Sequence, residues 1–205
     1  MKILPLGLLL GVCLLWAGGA NARDEKTLAS KVPQTRQVLC YDSDGLAPIP
    51  CANTGQDGDV QAGVESPAPR FTDNDNGTIT DNLTKLIWLK NANCKKGQIR
   101  WQEALNFANN LASGICHLAD GSKSGDWRLP NVRELQSLVD YGTSNPALPD
   151  PKGAPFSDFQ VSVYWSSTTN AFRPVGAWVV LFFDGSVSFS NKTNGNYAIA
   201  VRGGS

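Results

Sequence analysis

The run Gly125-Asp126-Trp127-Arg128-Leu129-Pro130-Asn131-Val132-Arg133-Glu134-Leu135 constrains the fold more than any other stretch of this chain. It joins a tight loop and a tryptophan of the buried type to a helix with a marked start. Asn131 can act as N-cap, and Glu134 stands three residues on, where a carboxylate reaches back to the cap's own N–H. Val132, Leu135, Leu138 and Val139 share one face of the helix expected over 132–141.

A second helix is expected further upstream. Trp101, Ala104, Leu105, Ala108, Leu111 and Ala112 form one apolar stripe, with Gly114 as its stop. Strand signals flank the pair. Phe71 and Thr78-Ile79-Thr80 lie either side of Asn76-Gly77, a pair that favours a type I′ hairpin turn. Leu86 to Leu89 follows. Beyond a Pro-rich connection over 142–162 come strand candidates at 163–168, 178–183, 187–189 and 197–202. A connection that long is often functional. The order of elements makes an α+β domain over 69–205 with two main helices and a mainly antiparallel sheet. Its last strand is expected inside the sheet, near the N-terminal strand.

The N-terminus reads as an export signal over 1–22. Lys2 supplies a positive start, Ile3 to Trp16 an apolar run, and Ala20-Asn21-Ala22 a cleavage site. The run is short for a bilayer span of about 20 residues. Val12 before Cys13 speaks against lipidation. The mature chain, starting at Arg23, then carries 17 Lys and Arg against 18 Asp and Glu, a balance that does not call for nucleic acid. No further segment is long and apolar enough to span a membrane. The expected location is periplasm, cell surface or extracellular space.

Residues 23–68 form a lead-in, polar at first and then rich in Gly, Pro, Asp and Ser. Charge is segregated beyond it. Eight acids and one base, Arg70, lie between Cys40 and Asp81, whereas Lys85, Lys90, Lys95, Lys96 and Arg100 follow with Glu103 as the single acid up to that point. Four cysteines remain after the leader. Three disulfide connectivities are open, and Cys40–Cys51 with Cys94–Cys116 is favoured because each closes a local loop rich in turn formers. Zinc fits poorly, since there is no C-x₂-C pair and His117 is the only histidine.

Four blocks in order carry a family likeness: Gly125 to Leu135, Tyr164-Trp165-Ser166-Ser167-Thr168-Thr169, Ala177-Trp178-Val179-Val180 and Val201-Arg202-Gly203-Gly204-Ser205. Together they resemble the C-terminal domain family of bacterial collagen-like adhesins, formerly a domain of unknown function and distantly C-type-lectin-like. Thr54 to Asp59 with Gln61-Ala62-Gly63 resembles a segment that often precedes that domain. The resemblance implies an exported, non-catalytic binding module with a C-type-lectin-like fold. It implies adhesion through glycans or sulfated, anionic polysaccharide. An envelope protein as partner is the alternative, and a hydrolase a weaker one. The chain has no Gly-X-Y collagen stretch. Its end also resembles the formylglycine-generating enzymes, whose chemistry needs reactive cysteines that two disulfides would consume.

Catalytic patterns are sparse. His117 sits beside a disulfide cysteine, and neither a G-x-S-x-G nor an H-E-x-x-H motif occurs. No cofactor is expected. Asp73-Asn74-Asp75-Asn76 resembles the start of a calcium loop, but Gly77 stands fifth and Thr84 twelfth, where a bidentate Glu belongs. A turn explains the same residues, and calcium on Asp73 and Asp75 stays open. The lectin calcium motif is missing: Leu148-Pro149-Asp150 has no amide or acid before the proline, and Ser166-Ser167 follows Trp165. Most tryptophans belong to the core. Two candidate ligand sites remain. One is the cationic cluster Lys90, Lys95, Lys96 and Arg100, matched to an anionic glycan. The other is Tyr164, Phe172 and Arg173 near the long connection, suited to stacking on a sugar ring.

Overall fold

The computed structural model describes residues 32–149 and 155–203. The export signal over 1–22, the first residues of the lead-in, Asp150 and the last two residues lie outside the described residues. Within them the chain forms the α+β arrangement that the element order demands. A small hairpin, β1 (Cys40–Tyr41) and β2 (Pro48–Ile49), is followed by the single turn α1 (Asp57–Val60). The strands β3 (Phe71–Asp73), β4 (Thr78–Asp81) and β5 (Ile87–Leu89) form an antiparallel meander, completed by β9 (Val201–Arg202). Between them run α2 (Trp101–Asn109), α3 (Val132–Gln136) and a second antiparallel sheet of β6 (Val163–Thr169), β7 (Gly176–Leu181) and β8 (Val187–Asn191). Every pairing of named strands is antiparallel. Both local disulfides are present, with Cα separations of 5.2 Å for Cys40–Cys51 and 5.6 Å for Cys94–Cys116.

Helix α3 starts as its sequence demands. Asn131 Oδ1 accepts from the N–H groups of Arg133 and Glu134, both at 2.9 Å, and Glu134 accepts from Asn131 N–H at 2.8 Å. The same carboxylate takes two 2.7 Å bonds from Arg128. The helix is shorter than expected, ending at Gln136 rather than near Tyr141. The amides of Leu138 and Val139 turn back to carbonyls three residues earlier, and those of Asp140 and Tyr141 leave for Ala147 and Thr35. Tertiary partners have captured the last turn, while Leu135, Leu138 and Val139 still face the core.

Two further expectations are corrected. The β3–β4 connection is a four-residue loop and not a type I′ turn. Its left-handed residues, Asp75 (φ 56°) and Gly77 (φ 83°), are separated by Asn76, and Asn74 N–H reaches Thr78 O at 3.1 Å. The glycine is required by close packing as well: a Cβ there would lie 2.3 Å from the His117 carbonyl oxygen. The final strand does not lie beside the N-terminal strand. The sheet order is β3-β4-β5-β9, because the meander leaves β5 as the open edge. On its other flank Val201 bridges Arg128, so the last strand is gripped from both sides.

The two sheets share one core. Trp88, Trp127 and Trp165 have no exposed surface, and Ile79, Leu89, Leu135, Val180, Phe182 and Ile199 pack with them. Trp127 N–H donates to Ser122 Oγ at 3.0 Å, and that hydroxyl donates to Asp120. Asp120 in turn meets Arg202 at 3.1 Å, and the Arg202 guanidinium lies over the Trp127 ring. This network joins two of the sequence blocks that carry the family likeness.

The lead-in is docked on this body. Thr35 O accepts from Tyr141 N–H, Arg36 pairs with Asp140 at 2.7 Å, and Val64 and Pro33 bridge each other. At its end Arg70 crosses to Asp81 with bonds of 2.7 and 2.8 Å and to the Ser137 carbonyl at 2.9 Å.

Candidate binding face

The four cations of the first candidate cluster do not act together. Lys90 is spent on Asp73, to which it donates directly, and this bond holds the Asp73 carboxyl below the usual carboxylate range. The same contact bears on calcium. Asp73 already serves an internal cation and the amide of Asp75, so its charge is committed. Among the described residues no group of three or more His, Cys, Asp and Glu is assembled for a metal ion.

Lys95 and Lys96 are exposed on the loop that Cys94–Cys116 closes. Lys95 borders a shallow groove of about 370 Å³ with Glu103, Asn106, Phe107, Asn110 and Ile115. Lys96 takes a left-handed backbone (φ 55°), and its N–H bonds to Asn93 O. Arg100 is exposed at the entry of α2, where Glu103 accepts from its backbone N–H at 3.0 Å.

The second candidate set divides as well. Tyr164 was expected to be available for stacking, but it has no exposed surface. Its ring lies in a cluster with Phe159, Phe182 and Tyr197, and its hydroxyl accepts from Gln160 N–H at 2.8 Å. Burial pushes its pKa well above the ordinary phenol value. It is a core residue because β6 turns that face inward against Val180 of β7. Phe172 and Arg173 are outside, on the tip joining β6 to β7, and Phe172 is 87% exposed. The Arg173 guanidinium stands 5.6 Å from the Phe189 ring centroid.

A residue that sequence reasoning passed over connects the two sets. Lys192 follows β8, and its ammonium lies 4.0 Å from the Trp101 ring centroid while donating to Thr169 Oγ1 at 2.9 Å. Its carbonyl accepts from Trp101 N–H, next to Arg100, and its amide donates to Val175 O, next to the tip. One turn further, Asn196 and Ile99 exchange backbone bonds. The segment 98–101 is therefore laid along the turn that follows β8. Arg100, Lys192 and Arg173 lie along one run of backbone contacts, while Lys95 and Lys96 stand apart on the disulfide loop beside α2 and Phe172 stands on the tip beyond Arg173. The available signal was the lone cation Lys192 between polar neighbours, which carries no spacing that points at Trp101.

These elements define a disulfide-pinned α+β domain with a cationic and aromatic face. The chain belongs to the Lcl C-terminal domain family, whose model matches residues 77–202, more than half of its length. That makes it an adhesin-associated module from a non-enzymatic domain family. Disulfides and this membership together mark an exported protein. No helix among the described residues is long and apolar enough to cross a membrane. A comparison with curated proteins returned no match.

Proposed function

We propose that the protein is a non-catalytic adhesion module that binds an anionic, sulfated polysaccharide along the strip Lys95, Lys96, Arg100, Lys192 and Arg173. The observation that carries the reading is the position of Lys192, whose backbone contacts join Trp101, next to Arg100, to Val175 of the β6–β7 tip. A polyanion extended along such a strip meets several cations at once, and multivalent contact raises affinity without a deep pocket. Lys90 is left out because Asp73 neutralises it. Adhesion by the family supports the ligand class, and the C-type-lectin-like relationship belongs to the same proposal.

The test is retention of the purified mature protein on heparin across a salt series. Retention should fall steeply with salt, since exposed contacts are screened within about 8–10 Å at physiological ionic strength. Lys192→Glu with Arg173→Glu should lose most of it, as should Lys95→Glu with Lys96→Glu, while Lys90→Gln should change little. Salt-insensitive retention, or full retention by both double variants, would remove the strip. Failure to bind any glycan would favour an envelope protein as partner.

A further inference from the structure

The tip between β6 and β7 carries apolar side chains outward on a backbone that is tied down. Phe172 is 87% and Val175 67% exposed, and Ala171 and Pro174 are exposed beside them. Asn170 is buried beneath, and its Oδ1 accepts from the amides of Phe172 at 2.9 Å and Arg173 at 3.1 Å. Asn170 N–H donates to Gly176 O, and Gly176 N–H donates to Arg173 O. Pro174 has no N–H to satisfy. The hairpin is pressed onto β8 so closely that a Cβ on Gly176 would lie 3.0 Å from the Phe189 ring.

The segment that carries this tip has charge of one sign. No acid occurs between Asp158 and Asp184, and Asp184 lies beyond the opposite end of β7. Arg173 and Lys192 flank the tip, each held over an aromatic ring. The Phe172 and Arg173 amides, already satisfied by Asn170, can enter a medium poor in water without the cost of bare polar groups. Cations at the base suit anionic headgroups. A sugar needs polar partners beside the stacked ring, but the Asn170 side chain here points inward. A protein partner has similarly few directional groups to read at the tip.

We propose that the β6–β7 tip is a membrane-docking finger: Phe172 and Val175 enter the interfacial layer of a bilayer while Arg173 and Lys192 engage anionic headgroups. This goes beyond the polysaccharide reading, although the two share Arg173 and Lys192. The experiment is co-sedimentation of the mature protein with vesicles of phosphatidylcholine, with and without phosphatidylglycerol. Binding is expected only with phosphatidylglycerol and should weaken with salt. Phe172→Leu should bind like the parent, because the contact needs an apolar side chain and not a ring. Phe172→Ser should bind about tenfold more weakly, the change expected from about 1.4 kcal/mol. Its thermal unfolding and its retention on heparin should both match the parent. Absence of vesicle binding, parental binding by Phe172→Ser, or equal loss in Phe172→Leu and Phe172→Ser would overturn the finger. Loss of heparin retention by the parent alone would overturn the polysaccharide reading and leave the finger standing.

Discussion

Replacing Arg70 by Met should destabilise the protein more than any change on its binding face. Asp81 has no exposed surface and Arg70 is 8% exposed. Burial alone would raise the Asp81 pKa, but hydrogen bonds from Arg70, the Thr84 hydroxyl and the Leu83 amide outweigh it and hold the carboxyl below its ordinary value. Arg70→Met removes two of those bonds together with the neutralising charge, and frees the Ser137 carbonyl. Breaking one side of a buried ion pair costs about 3–5 kcal/mol. For a chain of this size that lowers the Tm by roughly 6–20 °C, at about 2–4 °C per kcal/mol.

The sign of the pH dependence separates this mechanism from lost packing. In the parent the Asp81 pKa is depressed on folding. Its contribution is therefore fully present above the unfolded carboxylate pKa of about 3.9 and is lost as pH falls through the lower folded value. In Arg70→Met burial is no longer opposed by the guanidinium, so the folded pKa should rise above the unfolded one. The variant's deficit should then shrink as pH falls through that raised value, since the protonated acid tolerates burial. Thermal unfolding followed by circular dichroism, disulfides intact, from pH 7 towards pH 4, measures both quantities. A loss below about 1 kcal/mol, the range of a surface pair, or a deficit that does not move with pH, would refute the reasoning.

Asn131→Ala should cost about 1 kcal/mol through the lost cap on α3, measurable as a lower denaturation midpoint at unchanged slope. A midpoint equal to the parent's would mean that the Arg128–Glu134 contacts hold the helix start unaided. Intact mass of the protein recovered after export should begin at Arg23 and show four fewer hydrogens than the reduced chain, two for each disulfide. Thiol labelling of the native protein, or a mass retaining residues 1–22, would contradict that.

What could be read in the sequence was local or carried by a repeating pattern. The Asn131–Glu134 box and the loop-closing cysteines depend on near neighbours and appear where their spacing puts them. The stripe of α2 does so from Trp101 to Ala108, but the helix ends at Asn109, short of Leu111, Ala112 and the expected stop at Gly114, because the Ser113 and Gly114 amides pair with Ser122 and Leu118. The end of α3 was misplaced because Thr35 and Ala147, both distant in sequence, take the amides that would continue it. Tyr164 and Phe172 looked alike as exposed aromatics near a loop. Pleat direction and the Asn170 clamp separate them, and neither leaves a mark in composition. Four neighbouring cations looked like one cluster, yet Asp73 of another strand removes Lys90 and Lys192 from far along the chain takes a place beside Arg100. Long-range pairing decided which candidates share a surface.

The grip on the last strand has a consequence for when the protein can fold. Val201 pairs with Trp88 and bridges Arg128, and Arg202 reaches Asp120. Each of these partners appears in the chain long before the residue that completes it. Until residues 201–203 emerge, β5 keeps an open edge, Trp127 lacks the cation over its ring and Arg128 lacks the Gly203 carbonyl it bonds at 3.0 Å. Pairings between such distant residues form slowly because a long loop must close first. A chain still threading outward therefore lacks this lock until residues 201–203 have crossed.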